Sequence, residues 1–203
     1  MSSSTTKTLL ETRFNNVLSA SAPATHWLAA NLDEALTSTL EEYSRARPYT
    51  AVFTQAVGAR ELTLSAPTAL ISLVKVWYPY TAATPEYPPS WIDYDFWFDS
   101  GVAKVLLHTD AVPDGTKLAR IWYNGLHTLN GLNGGVTTTW PTGDDSIFVM
   151  GAAGYACLQR STELDETIQN MAVSTPNYGA LSELYFGRFH DMLYTNYSRG
   201  VVL

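Results

Sequence analysis

The sequence predicts an α+β fold, in which an α-helical bundle carries an inserted antiparallel β-sandwich or barrel module between its second and third helices. Apolar residues recur at helical spacing near both ends of the chain, whereas the middle contains short runs of β-branched and aromatic residues. The spacing of the apolar residues changes from helical to strand-like at Pro48, directly after a helical pattern that ends in Arg45 and Arg47. We therefore expect the two ends to pack together, with the β module protruding from between them.

The N-terminal part of the helical body covers residues 1–48. Residues 1–6 are rich in Ser and Thr and are expected to fray, and a short first helix follows. The second helix, from about Thr25 to Arg47, has one apolar stripe. Its members are Leu28, Leu32, Ala35, Leu36, Leu40 and Tyr43. Arg45 and Arg47 complement the carbonyl groups at the end of this helix, and both could also pair with acidic residues of a neighbouring subunit.

The inserted β module covers residues 49–124. Six runs at regular intervals, separated by turns that contain Gly or Pro, are typical of a small sandwich or barrel. The runs read AVFTQAV, ELTLSA, LISLVKVWY, WIDYDFWFD, VAKVLLH and KLARIWYN. Asp114-Gly115, between the last two runs, is a hairpin signal.

A Gly- and Thr-rich segment without periodicity, residues 125–143, is predicted to be a long loop that becomes ordered during assembly. Residues 144–203 then provide the C-terminal helices of the helical body and a tail. The third helix begins near Asp144 or Asp145, because a carboxylate suits the positive end of a helix. Small residues around Gly151 predict that another helix approaches it closely.

The composition favours large contact surfaces over a charged groove. Only 15% of the residues are charged, and the chain contains 6 Trp and 12 Tyr, which are typical of interfaces. A net charge of −7 argues against gripping nucleic acid through its phosphates, but it allows DNA to pass nearby. No apolar run reaches the roughly 20 residues of a membrane span, and no signal core is present, so we expect a cytoplasm-like compartment.

Residue types that carry catalysis are scattered, and no catalytic residue, metal ligand or cofactor is predicted. The chain lacks the nucleophile-elbow, P-loop, GxGxxG and HExxH motifs. His127 is the one histidine in a setting that resembles an active site, and a hydrolase would pair it with Asp110 or Asp114. Cys157 lies in an apolar helical setting and is interpreted as a small buried hydrophobic residue.

Three carboxylates alternate with aromatic residues in WIDYDFWFD: Asp93, Asp95 and Asp99. The favoured interpretation is the acidic solvent face of a strand. A calcium site is a second interpretation, because hard cations prefer oxygen ligands. A third is a carbohydrate-binding surface, in which sugar rings stack on Trp91, Tyr94 and Trp97 beside the carboxylates.

The order of segments resembles the head–tail connector, or neck adaptor, proteins of tailed bacteriophages. HWLAANLDEALTSTLEEYSRARP (residues 26–48) is similar to the second helix of that family, with an early Trp and a Tyr-Ser-Arg-x-Arg-Pro-like end. The β segment placed directly after that proline is the second match. DDSIFVMGAAGYACLQRS (residues 144–161) is similar to the family's acid-capped, alanine-rich helix, and a final amphipathic helix and short tail complete the pattern.

The resemblance implies a structural protein of the virion neck that has no catalytic activity and is assembled in the host bacterial cytoplasm. Such adaptors form a homo-oligomeric ring, usually of twelve subunits, under the portal protein. The ring extends the DNA channel and joins the capsid to the tail through a stopper or tail-completion protein. Double-stranded DNA would pass through without specific binding, and no membrane is involved. The alternative is a carbohydrate-binding β module of a phage receptor-binding apparatus.

Contact residues are expected on the same basis. The last helix and the apolar tail would dock on the portal through Tyr194, Tyr197, Arg199, Val201 and Leu203. Contacts with an adjacent subunit or with the next neck component are expected at Arg45, Arg47, Trp91, Trp97, His127 and Trp140.

Overall fold

The computed structural model describes four stretches of the chain: residues 4–19, 29–65, 69–167 and 177–195. The chain divides into two compact units. A helical unit comprises Met1–Arg47 together with His127–Leu203, and a β unit comprises Pro48–Leu126. The described elements confirm the α+β class with an antiparallel β module between the second and third helices.

The helical unit is built around its third helix. The described helices are α1 (Lys7–Ser19), α2 (Ala29–Ala46), α3 (Asp145–Thr167) and α4 (Tyr178–Thr195), with a 3₁₀ turn at Thr142–Asp144 before α3. Helix α3 packs against each of the other three. The predicted stripe of α2 is confirmed within the described residues, because Leu32, Ala35, Leu36 and Tyr43 are buried in one core. Thr25 and Leu28 lie outside the described residues.

Two glycines of α3 permit the close packing predicted from its small residues. A Cβ atom placed on Gly151 would lie 2.5 Å from Cγ2 of Thr39 and 3.0 Å from the ring of Phe189. One placed on Gly154 would lie 2.9 Å from the ring of Phe186. Because Cβ contacts under 3.0 Å essentially never occur, α2 and α4 approach α3 more closely than a side chain would allow.

We expect Gly151→Ala to lower the free energy of unfolding, although alanine favours a helix over glycine by about 1 kcal/mol. The added methyl group overlaps Thr39 and Phe189, and overpacking of this kind costs about 1–3 kcal/mol. Gly187→Ala in α4 is the matched control, because nothing lies within 4 Å of its Cβ position, so stability should hold or rise. Urea unfolding followed by circular dichroism compares the variants. A Gly151→Ala variant as stable as the Gly187→Ala variant would contradict the close packing.

The β unit consists of two antiparallel sheets that face each other across a shared core. The four-stranded sheet has the order β1-β7-β3-β4 and the three-stranded sheet the order β2-β6-β5. The strands are β1 (Tyr49–Ala56), β2 (Glu61–Thr63), β3 (Leu70–Tyr80), β4 (Trp91–Ile92), β5 (Tyr94–Asp99), β6 (Val102–Leu107) and β7 (Leu118–Gly125). Val76 and Ile121 of one sheet share the core with Leu62 and Val105 of the other. The described strands form an open sandwich and no closed barrel.

The pairing of strands differs from the sequence prediction at two places. The run WIDYDFWFD is divided at Asp93, so that its beginning pairs in the four-stranded sheet and its remainder in the three-stranded sheet. Asp114-Gly115 does form a turn, in which Oδ1 of Asp114 accepts hydrogen bonds from the backbone N–H and the hydroxyl of Thr116. The turn joins β6 to β7, which lie in different sheets, so the predicted hairpin is wrong. The hydrogen bonds of Asp114 stabilise the reversal of the chain. Burial of the apolar strand faces determines which strands pair with each other.

Candidate assembly surfaces

Arg47, directly after α2, is held inside the helical unit. Its Nη1 lies 3.0 Å from Oδ2 of Asp144. Its Nη2 donates to the backbone carbonyl oxygens of Met192 and Leu193 near the end of α4. The guanidinium also lies over the ring of Tyr43, at 5.8 Å from the centroid. Arg47 therefore joins three helix ends of its own unit, and its charge is used there rather than presented to a neighbour.

Arg45 has a different environment two residues earlier. Its side chain is 77% exposed, and its nearest acidic group is Oε2 of Glu41, at 4.0 Å one turn back on the same helix. An exposed pair at this distance adds little stability. Of the two predicted arginines, Arg45 is the one whose guanidinium remains accessible to a partner.

His127 is buried, and both of its ring nitrogens are engaged within the helical unit. Nε2 lies 2.8 Å from the carbonyl oxygen of Arg47, and Nδ1 lies 2.9 Å from the hydroxyl of Thr139. A carbonyl can only accept, so Nε2 carries the hydrogen and Nδ1 accepts from the hydroxyl. Burial lowers the pKa of His127 and keeps the ring neutral, although the Arg47 carbonyl and Asp144 oppose this. Asp110 and Asp114, its proposed hydrolase partners, belong to the β unit.

The neutral state of His127 predicts a pH dependence of stability. Its pKa is lower in the folded than in the unfolded chain, so its contribution is complete above the ordinary value of 6.5 and declines as the pH falls below 6.5. We expect the free energy of unfolding to drop between pH 7.5 and pH 5.5, and to drop less in His127→Gln. Urea unfolding at both pH values measures this. His108→Gln, which removes an exposed imidazole instead of a buried one, serves as the control for the substitution itself. An unchanged drop in His127→Gln would contradict the assignment.

Trp140 belongs to the core of the helical unit. Its ring is fully buried and stacks on Phe148, with the ring centroids 3.9 Å apart and the planes at 17°. Its Nε1 donates to Oδ1 of Asp145 at 3.1 Å. Trp140 was expected at a subunit contact, but its side chain is not accessible to another subunit because it packs inside the unit next to the start of α3.

The Gly- and Thr-rich segment before α3 is ordered by contacts within its own unit. Leu129 and Leu132 are buried in the helical core. The hydroxyl oxygens of Thr138 and Thr139 accept hydrogen bonds from backbone N–H groups of the same segment. Gly131 adopts a φ of 89°, which glycine accommodates without strain. We expected a partner protein to order this segment during assembly. In the structure, its own threonine hydroxyls and buried leucines provide the ordering contacts instead.

Asp145 is the centre of a network that the sequence did not reveal. Its side chain lies in the first turn of α3 and is 3% exposed. Oδ2 accepts hydrogen bonds from Nη1 of Arg13 at 2.8 Å and from the hydroxyl of Thr5 at 2.8 Å. Thr5 is itself buried, and Thr6 forms a parallel bridge with Asn130. The expected fraying is therefore wrong for Thr5 and Thr6, and neither Thr5 nor Arg13 carried a local signal of this role.

The outward side of the four-stranded sheet carries indole rings and cations. Strand pairing places Trp122 opposite Lys75, and Trp77 opposite both Arg120 and Trp91. Nζ of Lys75 lies 4.3 Å and 5.0 Å from the ring centroids of Trp91 and Trp122. Arg120 lies 5.2 Å from the Trp122 centroid, and Trp91 is 48% exposed, whereas Trp77 is buried. The aromatic–cationic face is the name that we give to Lys75, Trp91, Arg120 and Trp122.

The outward side of the three-stranded sheet is acidic. Asp95, Trp97 and Asp99 lie on this side of β5, and Glu61 lies on β2. Lys104 of β6 lies between two of the carboxylates, 2.9 Å from Asp99 and 3.1 Å from Glu61, and its ammonium holds the pKa of Asp99 below the ordinary value. We call Glu61, Asp95, Trp97 and Asp99 the acidic face. The favoured interpretation of an acidic solvent side is confirmed for Asp95 and Asp99, but it is wrong for Asp93, which lies between β4 and β5 where the chain changes sheets.

The two tryptophans predicted as contacts lie on opposite sides of the sandwich. Trp91 belongs to the aromatic–cationic face and Trp97 to the acidic face, so the two do not form a single stacking platform. Nζ of Lys75 already covers the ring of Trp91. Within the described ranges, no group of three His, Cys, Asp or Glu side chains is arranged to hold a metal ion. None of the helices described is long and apolar enough to cross a membrane.

The predicted portal contacts fall at the C-terminal end of the helical unit. Tyr194, in the last turn of α4, is 61% exposed. The other four lie outside the described residues: Tyr197, Arg199, Val201 and Leu203. Cys157 of α3 is fully buried, and burial raises the pKa of its thiol to about 12. The interpretation of Cys157 as a small core residue is confirmed.

Comparison with known proteins gives matches to solved structures alone. No protein-family model and no curated protein matches the chain. A chain from the neck of a native GTA particle, computed with C12 symmetry, is 14% identical, with a TM-score of 0.30 over 90% of this chain and 91% of that chain. A chain from the neck of an empty GTA particle, computed with C6 symmetry, is also 14% identical, with a TM-score of 0.30 over 86% of each chain. Both similar chains are parts of symmetric particle necks.

Proposed function

We propose that this chain is a head–tail connector, or neck adaptor, of a tailed bacteriophage or a related particle, and that its role is structural rather than catalytic. In this function it forms a homo-oligomeric ring, of twelve subunits, beneath the portal. The ring continues the DNA channel and presents a platform to the stopper or tail-completion protein. It is assembled in the host cytoplasm and becomes part of the virion.

The observation that carries the proposal is the way in which the chain is divided. Helices from both ends of the sequence share one core, and the uninterrupted segment Pro48–Leu126 forms a separate β unit. The transition occurs at the Arg47–Pro48 junction, the position at which the resemblance to neck adaptors places it. The element order helix, helix, β module, helix, helix is also the order that the resemblance implies.

The use of the reactive side chains also supports a structural role. The imidazole of His127 is buried, neutral and hydrogen-bonded through both nitrogens. The carboxylate of Asp145 accepts three donors that fix the start of α3. These groups stabilise the helical unit, which leaves its exposed side chains for contacts with other proteins.

The contact residues of the proposed ring follow from exposure. Tyr194 and the tail beyond it are proposed to dock on the portal. Arg45, Trp91 and Trp97 are proposed to contact an adjacent subunit or the next neck component. The structure gives Arg47, His127 and Trp140 internal roles, so they are not part of the proposed contacts.

Binding to the portal tests this function. The full chain is mixed with the purified portal ring of the same particle, and the mass of the complex is measured by light scattering after gel filtration. We expect a complex that contains a ring of adaptor subunits. A variant that ends at Thr195 should keep its circular dichroism spectrum and lose portal binding. Absence of any complex with the full chain would overturn the proposed function, and normal binding by the shortened variant would overturn the role of the tail.

A further inference from the structure

We infer that adjacent copies of this chain associate head to tail through opposite sides of the β unit, the aromatic–cationic face of one copy meeting the acidic face of the next. The inference rests on the proposed ring function for its purpose. The contact itself belongs to this chain alone and can be measured without a portal.

The aromatic–cationic face has the chemistry of an interface that awaits an anionic partner. The ion pairs of the described β unit use Lys104 and His108, whereas Lys75 and Arg120 have no carboxylate partner among the residues that the structure describes. Both cations instead lie against the ring of Trp122. Indole rings together with arginine are the groups most enriched where interfaces concentrate their binding energy.

The packing against indole rings also reduces the entropic cost of binding. A lysine in water samples many rotamers, and ordering them opposes association. Here Nζ of Lys75 is held over two rings, of Trp91 and Trp122, before any partner arrives. The positive charges are therefore presented at fixed positions in a chain whose net charge is −7.

The acidic face supplies the complementary charge. Its three carboxylates lie beside one ammonium group, of Lys104, and one imidazole, of His108, whose Nε2 is 2.9 Å from Asp95. The side chains of Glu61 and Asp95 are 54% and 64% exposed, so both can reach a partner. Trp97 lies between Asp95 and Asp99 on the same side of β5 and adds an apolar contact.

The geometry of a sandwich determines which kind of association these faces permit. The sheets pack through their inner sides, so the two faces point away from each other. A two-fold dimer through either face would oppose like charges, whereas contact between unlike faces repeats in one direction. Head-to-tail contacts of this kind close into rings when the rotation between copies allows it. A second copy of this chain therefore fits both faces at once.

Charge reversal with complementary mixing tests the inference. Variant A is Lys75→Glu/Arg120→Glu, and variant B is Glu61→Lys/Asp95→Lys. Sedimentation equilibrium in low salt gives the dissociation constant of self-association. We expect each variant alone to associate at least tenfold more weakly than the wild type, and an equimolar mixture of A and B to recover association, because the two reversed faces complement each other. Lys117→Glu/Arg188→Glu, which alters net charge as A does but changes no residue of either face, is the control and should behave as the wild type.

Several results would overturn the inference. These are a wild-type chain that stays monomeric at its highest soluble concentration in low salt, self-association insensitive to either reversal, or no recovery on mixing. Circular dichroism and thermal unfolding confirm that each variant is folded. If a double-stranded DNA fragment binds the wild type but not variant A, and no self-association occurs, the face is a nucleic-acid contact instead. Failure here leaves portal binding as an independent test of the proposed function.

Discussion

Replacement of Asp145 by alanine is expected to lower the free energy of unfolding of the helical unit by about 3 kcal/mol. Three donors lose their acceptor together: the guanidinium of Arg13, the hydroxyl of Thr5 and the indole N–H of Trp140. The last two groups are buried, so water does not replace the carboxylate. The substitution also removes a negative charge from the positive end of α3.

Two further variants separate the causes of this loss. Asp145→Asn retains one carbonyl acceptor and the shape of the side chain, so we expect an intermediate loss. Asp191→Ala removes an exposed carboxylate from α4 and should change stability by less than about 0.5 kcal/mol. Urea unfolding, followed by tryptophan fluorescence and by circular dichroism, measures all three. A loss for Asp145→Ala no larger than that of Asp191→Ala would refute the proposed network.

Arg47→Ala is the second substitution with a large expected effect, a loss of about 2–4 kcal/mol. It leaves the partly buried carboxylate of Asp144 without its ion pair and removes the donor to two carbonyl oxygens of α4. Arg45→Ala removes the same group two residues away, where the side chain is exposed, and should cost less than about 0.5 kcal/mol.

Lysine at position 47 distinguishes charge from geometry. An ammonium group retains the charge, but it lacks the planar fork that lets one guanidinium donate to a carboxylate and to carbonyl oxygens in different directions. We therefore expect Arg47→Lys to lose roughly half of what Arg47→Ala loses. Thermal and urea unfolding measure the series. Indistinguishable stabilities for the Arg45 and Arg47 alanine variants would show that the junction does not hold the helix ends.

The sequence predicts the helical part of the fold because its signals are local. The spacing of apolar residues defines the buried stripe of α2, and the small residues of α3 mark where two helices approach it. The network around Asp145 had no such signal, because Thr5 lies 140 residues away along the chain. The composition of the segment before α3 led to a wrong prediction, because loops rich in glycine and threonine can be mobile or can be ordered by contacts within their own unit.

The candidate contacts show why the alternation of residues along a strand does not by itself predict the side of the β unit on which a residue lies. Trp91 and Trp97 are an even number of residues apart, so one continuous strand would place them on the same side. The chain changes sheets at Asp93, and the two rings end on opposite sides of the sandwich. Arg45 and Arg47 illustrate the same limit at a helix end, because their local sequence is alike and tertiary partners alone decide which one is partly buried and paired.

The distant pairing of the two chain ends has a consequence for biosynthesis. Arg47 cannot meet its acceptors at Met192 and Leu193 until those residues, about 145 positions later, have left the ribosome. At elongation rates of about 5–20 residues per second, the β unit is fully translated several seconds before α4 is complete. The apolar stripe of α2 therefore stays without the helices that bury it for several seconds after the β unit has been translated.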